Sequence, residues 1–242
     1  PTAIILPEEI MKKFGILIFI VTILAGVVFA SLFSFGRVTG KLINFSFGSK
    51  IKGSAVAGSE TRSVTDFKGI DVGGVFRVEV TAGQEFSLEV EADDNLLPYI
   101  KTKVDNGVLH IETTQRIDSQ TPMVVRVSAP DITSVEVSGV AKVELAGVKN
   151  SSLEIDTSGA SKLKIEGETS HVQVEVSGSS SVDAESLKAR TAAVDASGAS
   201  HVSIFVTERL VSDASGASQI AYSGDPTVVE KQSSGASSVY KK

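Results

Sequence analysis

The sequence predicts an all-β fold, a parallel β-helix-like solenoid with rungs of about 19 residues, preceded by one N-terminal hydrophobic helix. Three observations predict it. Ser-Gly pairs begin at Ser138, Ser158, Ser177, Ser197, Ser215 and Ser234, at intervals of 20, 19, 20, 18 and 19 residues. The residues around each pair fall into apolar and polar columns that alternate with a period of two. Ahead of the repeats, Phe14 to Gly36 runs for 23 residues without a charge. A spacing this regular belongs to a stacked structural unit rather than to a biased composition, because one rung cannot bury its own apolar side and its neighbours must do so.

Residues 1–10 precede a natural start at Met11 and are set aside as an upstream or non-native extension. Residues 11–37 have two competing fates. Met11-Lys12-Lys13 opens like a signal sequence, and Val28-Phe29-Ala30 offers small residues where a signal peptidase reads. The 23 uncharged residues are equally long enough to cross a bilayer as a retained anchor, which would make the membrane a partner through residues 14–36. A buried helix of a soluble domain would show a polar face, and this run has none. Lysines stand before the run and Arg37, Lys41, Lys50 and Lys52 after it, so charge alone does not orient it, and the export-like start points the remainder outside.

Residues 38–58 are basic and rich in Gly and Ser, the composition of a linker. From 59 to 242 the chain carries 17 basic and 27 acidic residues, a net of 17 − 27 = −10. Such a surface repels nucleic acid and anionic lipid, so nucleic acid is excluded as a partner. The absence of Cys excludes disulfides, thiolate metal sites, a Cys nucleophile and a lipid-bearing Cys.

Within 59–130, "VFRVEV", "FSLEVEA", "VLHIETT" and "MVVRVSA" alternate like strands without keeping the period, and are read as degenerate rungs closing the N-terminal end. Asp93-Asp94-Asn95-Leu96-Leu97-Pro98 opens one short helical turn. Within 131–242 each repeat reads as a strand, a Ser-Gly turn, a second short strand and a looser return. Gly139, Gly159, Gly178, Gly198, Gly216 and Gly235 mark the corner, where a residue without Cβ adopts dihedrals closed to others. Val140, Ala160, Ser179, Ala199, Ala217 and Ala236 follow and are expected to point into a narrow interior. Val143, Leu163, Val182, Val202, Ile220 and Val239 form the apolar column beyond.

The strings "TRSVTDFKGIDVGGVFRVEVTAG" at 61–83 and "LEVEADDNLLPYIKTKVDNGVLHI" at 88–111, followed by "SGVAKVEL" and "SGASKLKIEG", resemble the bacterial head-GIN-domain proteins, described as "putative autotransporter adhesins". The resemblance runs from Glu60 to the end. It implies a right-handed β-helix-like domain in the bacterial cell envelope, extracytoplasmic and either anchored or secreted, without catalytic activity or cofactor. Family members often carry a lipoprotein Cys after the signal, which is missing here and leaves residues 14–36 as the tether.

One constellation could carry function. Two residues before each Ser stand Glu136, Asp156, Glu175, Asp195, Asp213 and finally Gln232. On a solenoid these acids form an outward ladder at about 4.8 Å spacing that could hold Ca²⁺ or meet a basic partner. The bland reading is inherited surface charge, eased by Lys142, Lys162 and Lys164. His110, His171 and His201 lack ligand spacing and read as surface residues. No copy of the repeat makes a nucleophile elbow. The expected function is a structural or adhesin-like binding surface for an envelope glycan or protein, with flat faces that also permit homo-oligomers. The alternative is a glycan-active β-helix enzyme, for which few aromatics and no cleft-building insertion speak.

Overall fold

The computed structural model describes residues 50–242; the expected extension, the hydrophobic helix with its signal or anchor, and most of the linker lie outside them. Among the described residues no helix is long and apolar enough to cross a membrane.

The strands, in chain order, are β1 (Ile51–Lys52), β2 (Ala57–Thr61), β3 (Gly69–Gly74), β4 (Arg77–Ala82), β5 (Ser87–Asp93), β6 (Ile100–Asp105), β7 (Val108–Thr113), β8 (Ile117–Asp118) and β9 (Val124–Ala129). They continue as β10 (Ser134–Gly139), β11 (Lys142–Thr157), β12 (Lys162–Val176), β13 (Ser181–Ala196), β14 (His201–Ala214), β15 (Gln219–Ser223), β16 (Val228–Ser233) and β17 (Ser238–Lys241). The one helical element is a 3-10 turn at Leu97–Tyr99, where the sequence expects it. From β10 to β17 every pairing is parallel, and successive rungs stack into a β-solenoid of about five turns.

The register repeats the sequence period. Val143 faces Leu163, which faces Val182, then Val202, Ile220 and Val239. The side chains of this column are buried down to Ile220, as is the column Val135, Ile155, Val174 and Val194. Each buried aliphatic side chain stabilises the coil by roughly 1.5–3 kcal/mol. The expected loose return is instead strand. β11 and β13 run for 16 residues each, bending at Gly147 and at small register shifts without leaving the ladder.

The Ser-Gly corner differs from expectation in one respect. The residues after Gly, from Val140 to Ala236, point to solvent, and the fourth residue points inward: Ala141, Ser161, Ser180, Ser200 and Ser218 are buried. Hydroxyls bond across the rungs there, Ser161 Oγ to Ser180 Oγ at 3.1 Å, while Ser200 Oγ is buried without a partner among the described residues. Ser218 Oγ donates to Ala196 O at 2.9 Å, one rung down, and Ser237 Oγ to Ala214 O at 2.7 Å. The glycines have φ between +71° and +88°. A Cβ on Gly198 would lie 2.5 Å from the carbonyl oxygen of Gly178 in the rung below.

The N-terminal part is only partly made of rungs. β3 and β4 lie parallel under β10 and β11, and β7 and β9 parallel under β3 and β4. The closure comes from antiparallel strands: β2 on β5, β5 on β9 and β6 on β7. Strands also begin ahead of residue 59, because β1 pairs with β8 and β2 starts at Ala57. At the far end, Lys231 takes the place that Val194 and Ser212 occupy in earlier rungs. Its ammonium lies 4.6 Å from the centre of the Tyr222 ring, a charge laid over the open end of the core.

Candidate functional site

The pre-corner strands β10 to β14 build one straight face. Along it the Cα register joins Glu136 to Asp156, Glu175, Asp195 and Asp213, one acid per rung, ending on Gln232. All five acids are exposed. The column is longer than the sequence suggested. Asp71 stands in register below Glu136, and His110 below Asp71, with His110 Nδ1 2.8 Å from Asp71 Oδ2. The signal for Asp71 is "GIDVGG", which aligns on "SVEVSG" once Gly73-Gly74 is accepted in place of Ser-Gly. His110 leaves no mark, because β7 precedes the repeats by a rung out of sequence order.

Among the described residues, no Lys or Arg pairs with Glu136, Asp156, Glu175, Asp195 or Asp213. The lysines expected to ease the ladder face elsewhere. Lys142 pairs with Glu144 at 2.6 Å and Lys164 with Glu166 at 2.7 Å, on the strands past the corner. There Arg77 also holds Glu79, and Arg126 bridges Glu79, Glu89 and Glu91. The face past the corner thus carries several ion pairs, while the other carries a row of acids without one among the described residues. Burial, together with the charges of Asp71 and Asp156, raises the pKa of Glu136 above the ordinary glutamate value, opposed in part by His110.

The row cannot wrap a cation. Parallel strands point its carboxylates side by side rather than inward, and among the described residues no three His, Cys, Asp or Glu side chains could hold a metal ion. Calcium takes 6–8 oxygens, more than one carboxylate per rung supplies. The other histidines contact hydroxyls, His171 meeting Thr191 at 2.6 Å and His201 meeting Ser203 at 3.2 Å.

Like charges in adjacent rungs oppose folding. Asp156→Asn/Glu175→Gln/Asp195→Asn is therefore expected to raise the thermal midpoint by roughly 2–5 °C, an advantage that shrinks as salt is raised. For Glu136 the sign is set by its raised pKa: its contribution to stability is full below the ordinary glutamate value and is lost as pH rises through the folded value. Glu136→Gln removes that limb from a pH series of melting curves.

A second cluster fixes the start of the domain. Asp93 is fully buried and accepts hydrogen bonds from Ala55 N, Ser119 Oγ and Gln120 N, each at 2.8 Å, and from Thr121 N at 3.3 Å. Its neighbours complete the clasp. Asp94 bonds the Ser54 hydroxyl, and Asn95 takes Ser54 N and donates to Lys52 O, both at 2.9 Å. A side chain at Gly53 would overlap the Asp93 carboxyl. Burial pushes the Asp93 pKa up, but the hydrogen bonds outweigh it and hold the group below the ordinary aspartate value.

The sequence profile of a family described as "Putative auto-transporter adhesin, head GIN domain" matches residues 66–226. Among solved structures, a putative adhesin from Bacteroides fragilis NCTC 9343 is 18% identical, with a TM-score of 0.68 over 79% of this chain and 100% of that one. A putative adhesin from Parabacteroides merdae ATCC 43184 is 16% identical, with a TM-score of 0.48 over 80% and 99%. A putative lipid binding protein from Parabacteroides distasonis ATCC 8503 is 20% identical, with a TM-score of 0.46 over 80% and 99%. No curated protein matches the chain.

Proposed function

Since the chain belongs to the family described as "putative auto-transporter adhesin, head GIN domain", we propose that it is a non-catalytic, extracytoplasmic solenoid whose acidic face binds a positively charged partner in the cell envelope. The observation that carries this reading is the contrast between faces. Past the corner Glu79, Glu144 and Glu166 are matched by Lys or Arg at 2.6–3.0 Å, whereas among the described residues the row from Glu136 to Asp213 has no such partner. A row that costs stability and is left unpaired is explained by a partner that supplies the cations. The finer fold reading, a right-handed coil carried behind a hydrophobic helix at residues 14–36, belongs to the same proposal and gives the face its tether. The enzyme reading gains little from the geometry: Glu136, the carboxylate raised in pKa, lines a small concavity of about 230 Å³ with Glu154 and Asp156, with no basic or aromatic side chain in that lining.

The test is retention of the detergent-solubilised full chain on poly-lysine, poly-glutamate and dextran surfaces. Binding to poly-lysine alone is expected, released by 0.5 M salt on the order of the screening length, and weakened at least about tenfold in Asp156→Asn/Glu175→Gln/Asp195→Asn. Equal retention of parent and variant would remove the acidic face from the function.

A further inference from the structure

Among the described residues, shallow concavities lie along the repeating faces and a larger one lies where the repeat fails. Three turns from the first rungs converge there: Asp66 to Gly69 ahead of β3, Asn106-Gly107 between β6 and β7, and Pro130 to Ser134 ahead of β10. Two of them need left-handed backbone, with φ of +61° at Asp66 and +50° at Asn106, so the turns are held in shape rather than draped. Hydrogen bonds lock them together. Lys68 N donates to Gly107 O at 2.9 Å and Thr133 N to Lys68 O at 2.8 Å. They enclose a hollow of about 600 Å³.

Its floor is aromatic and its rim polar. Phe86, half-buried on the turn between β4 and β5, lies 5.1 Å from the buried Phe67 ring at an interplanar angle of 49°, which fixes the Phe86 ring in place. Around it stand Lys68, Asn106, Asp131, Thr133 and Ser134. Their bonding capacity is largely unspent. The Asp131 carboxylate meets Lys68 Nζ and Asn150 Nδ2 only at 3.5 Å each, and among the described residues the Thr133 and Ser134 hydroxyls have no hydrogen-bond partner. Gly69 keeps the space clear, because a Cβ there would lie 2.6 Å from Ser134 Oγ.

We propose that this hollow is a binding site for a neutral hexose unit of a glycan, with the sugar's apolar C–H face on the Phe86 ring and its hydroxyls on Asp131, Lys68 and Asn106. The chemistry selects that class. An immobilised ring offers a flat apolar platform, a carboxylate with an ammonium offers paired acceptor and donor for neighbouring hydroxyls, and Lys68 offsets one of the two carboxylates, Asp66 and Asp131, that line the hollow. An anionic ligand finds no net attraction here, and a purely apolar one leaves the polar rim unsatisfied. The size falls within the range of small-molecule sites, about 300–1,000 Å³. This site is separate from the acidic face and goes beyond the function proposed for that face.

The test uses the detergent-solubilised full chain on a printed array of neutral oligosaccharides ending in glucose, galactose, mannose or N-acetylglucosamine. Binding to at least one terminal sugar is expected, persisting in 0.5 M salt. Asp131→Asn and Phe86→Ala should each weaken it about tenfold or more. Phe86→Leu, which keeps an apolar filler against Phe67 but loses the flat ring, should lose binding while its melting point stays close to the parent's. Asp156→Asn/Glu175→Gln/Asp195→Asn should bind as the parent does. Silence on every neutral sugar, or binding indifferent to Phe86 and Asp131, or binding lost with the acidic row, would each overturn the proposal.

Discussion

Asp93→Asn is expected to lower the thermal midpoint by roughly 10 °C and to expose the segment 51–61 to trypsin at Lys52 and Arg62. The carboxylate is the common acceptor for four donors from two segments far apart in sequence, Ala55 on one side and Ser119, Gln120 and Thr121 on the other. An amide turns one of those acceptor atoms into a donor that faces N–H or O–H, and burial gives it no water in exchange. β1 and β8 pair over only two residues, so the first strand depends on the clasp that Asp93, Asp94 and Asn95 form. The pH dependence carries the opposite sign to that of Glu136. With the folded pKa of Asp93 depressed, its contribution is full above the ordinary aspartate value and is lost as pH falls through the lower folded value. The Asn variant should lack that acid limb. A variant that melts and digests like the parent would remove the clasp from the account.

Gly198→Ala is expected to be the second large effect, a loss of roughly 2–4 kcal/mol, read as a midpoint lowered by roughly 5–15 °C. Two costs coincide. The backbone stands at φ +75°, and the new Cβ would lie 2.5 Å from Gly178 O. That oxygen cannot step aside cheaply, because it already accepts the Ala199 N–H at 2.8 Å. The neighbouring Ala199→Ser is the control. It points to solvent, and Ser179 holds the same place one rung earlier, so a change within about 0.5 kcal/mol is expected.

Why some of this is legible in the sequence and some is not follows from the range of the interactions. A rung repeats its steric demands every 18–20 residues, so the apolar columns and the column of acids appear as simple spacing. Inward and outward sense at the corner is not legible, because small residues stand on both sides of it. The fourth residue of the corner faces inward and the third outward whether it is Ala or Ser, Ala141 being buried and Ser179 exposed. The N-terminal closure left no period to read. β2 pairs with β5, and β5 with β9, through antiparallel contacts that no repeat encodes. Asp93 stood in plain sight as part of Asp-Asp-Asn, but its partners lie 26 to 38 residues away. The hollow beside Phe86 is likewise built from three separated turns, and local patterns do not report such convergence.

The claim on which the proposed function turns is that the acids share one straight face, one per rung. The chain has no Cys, so introduced pairs can be spin-labelled cleanly. Glu136 and Asp213 are four strand steps apart, and Asp71 and Asp213 five, along the order β3, β10, β11, β12, β13, β14. At about 4.8 Å per step the Cα separations should be about 19 Å and about 24 Å. Electron–electron distance measurements on the two labelled full chains should therefore give narrow distributions whose centres differ by about 5 Å. Centres that fail to lengthen with the added rung would contradict the stacked row, and the binding face built on it would fall with it.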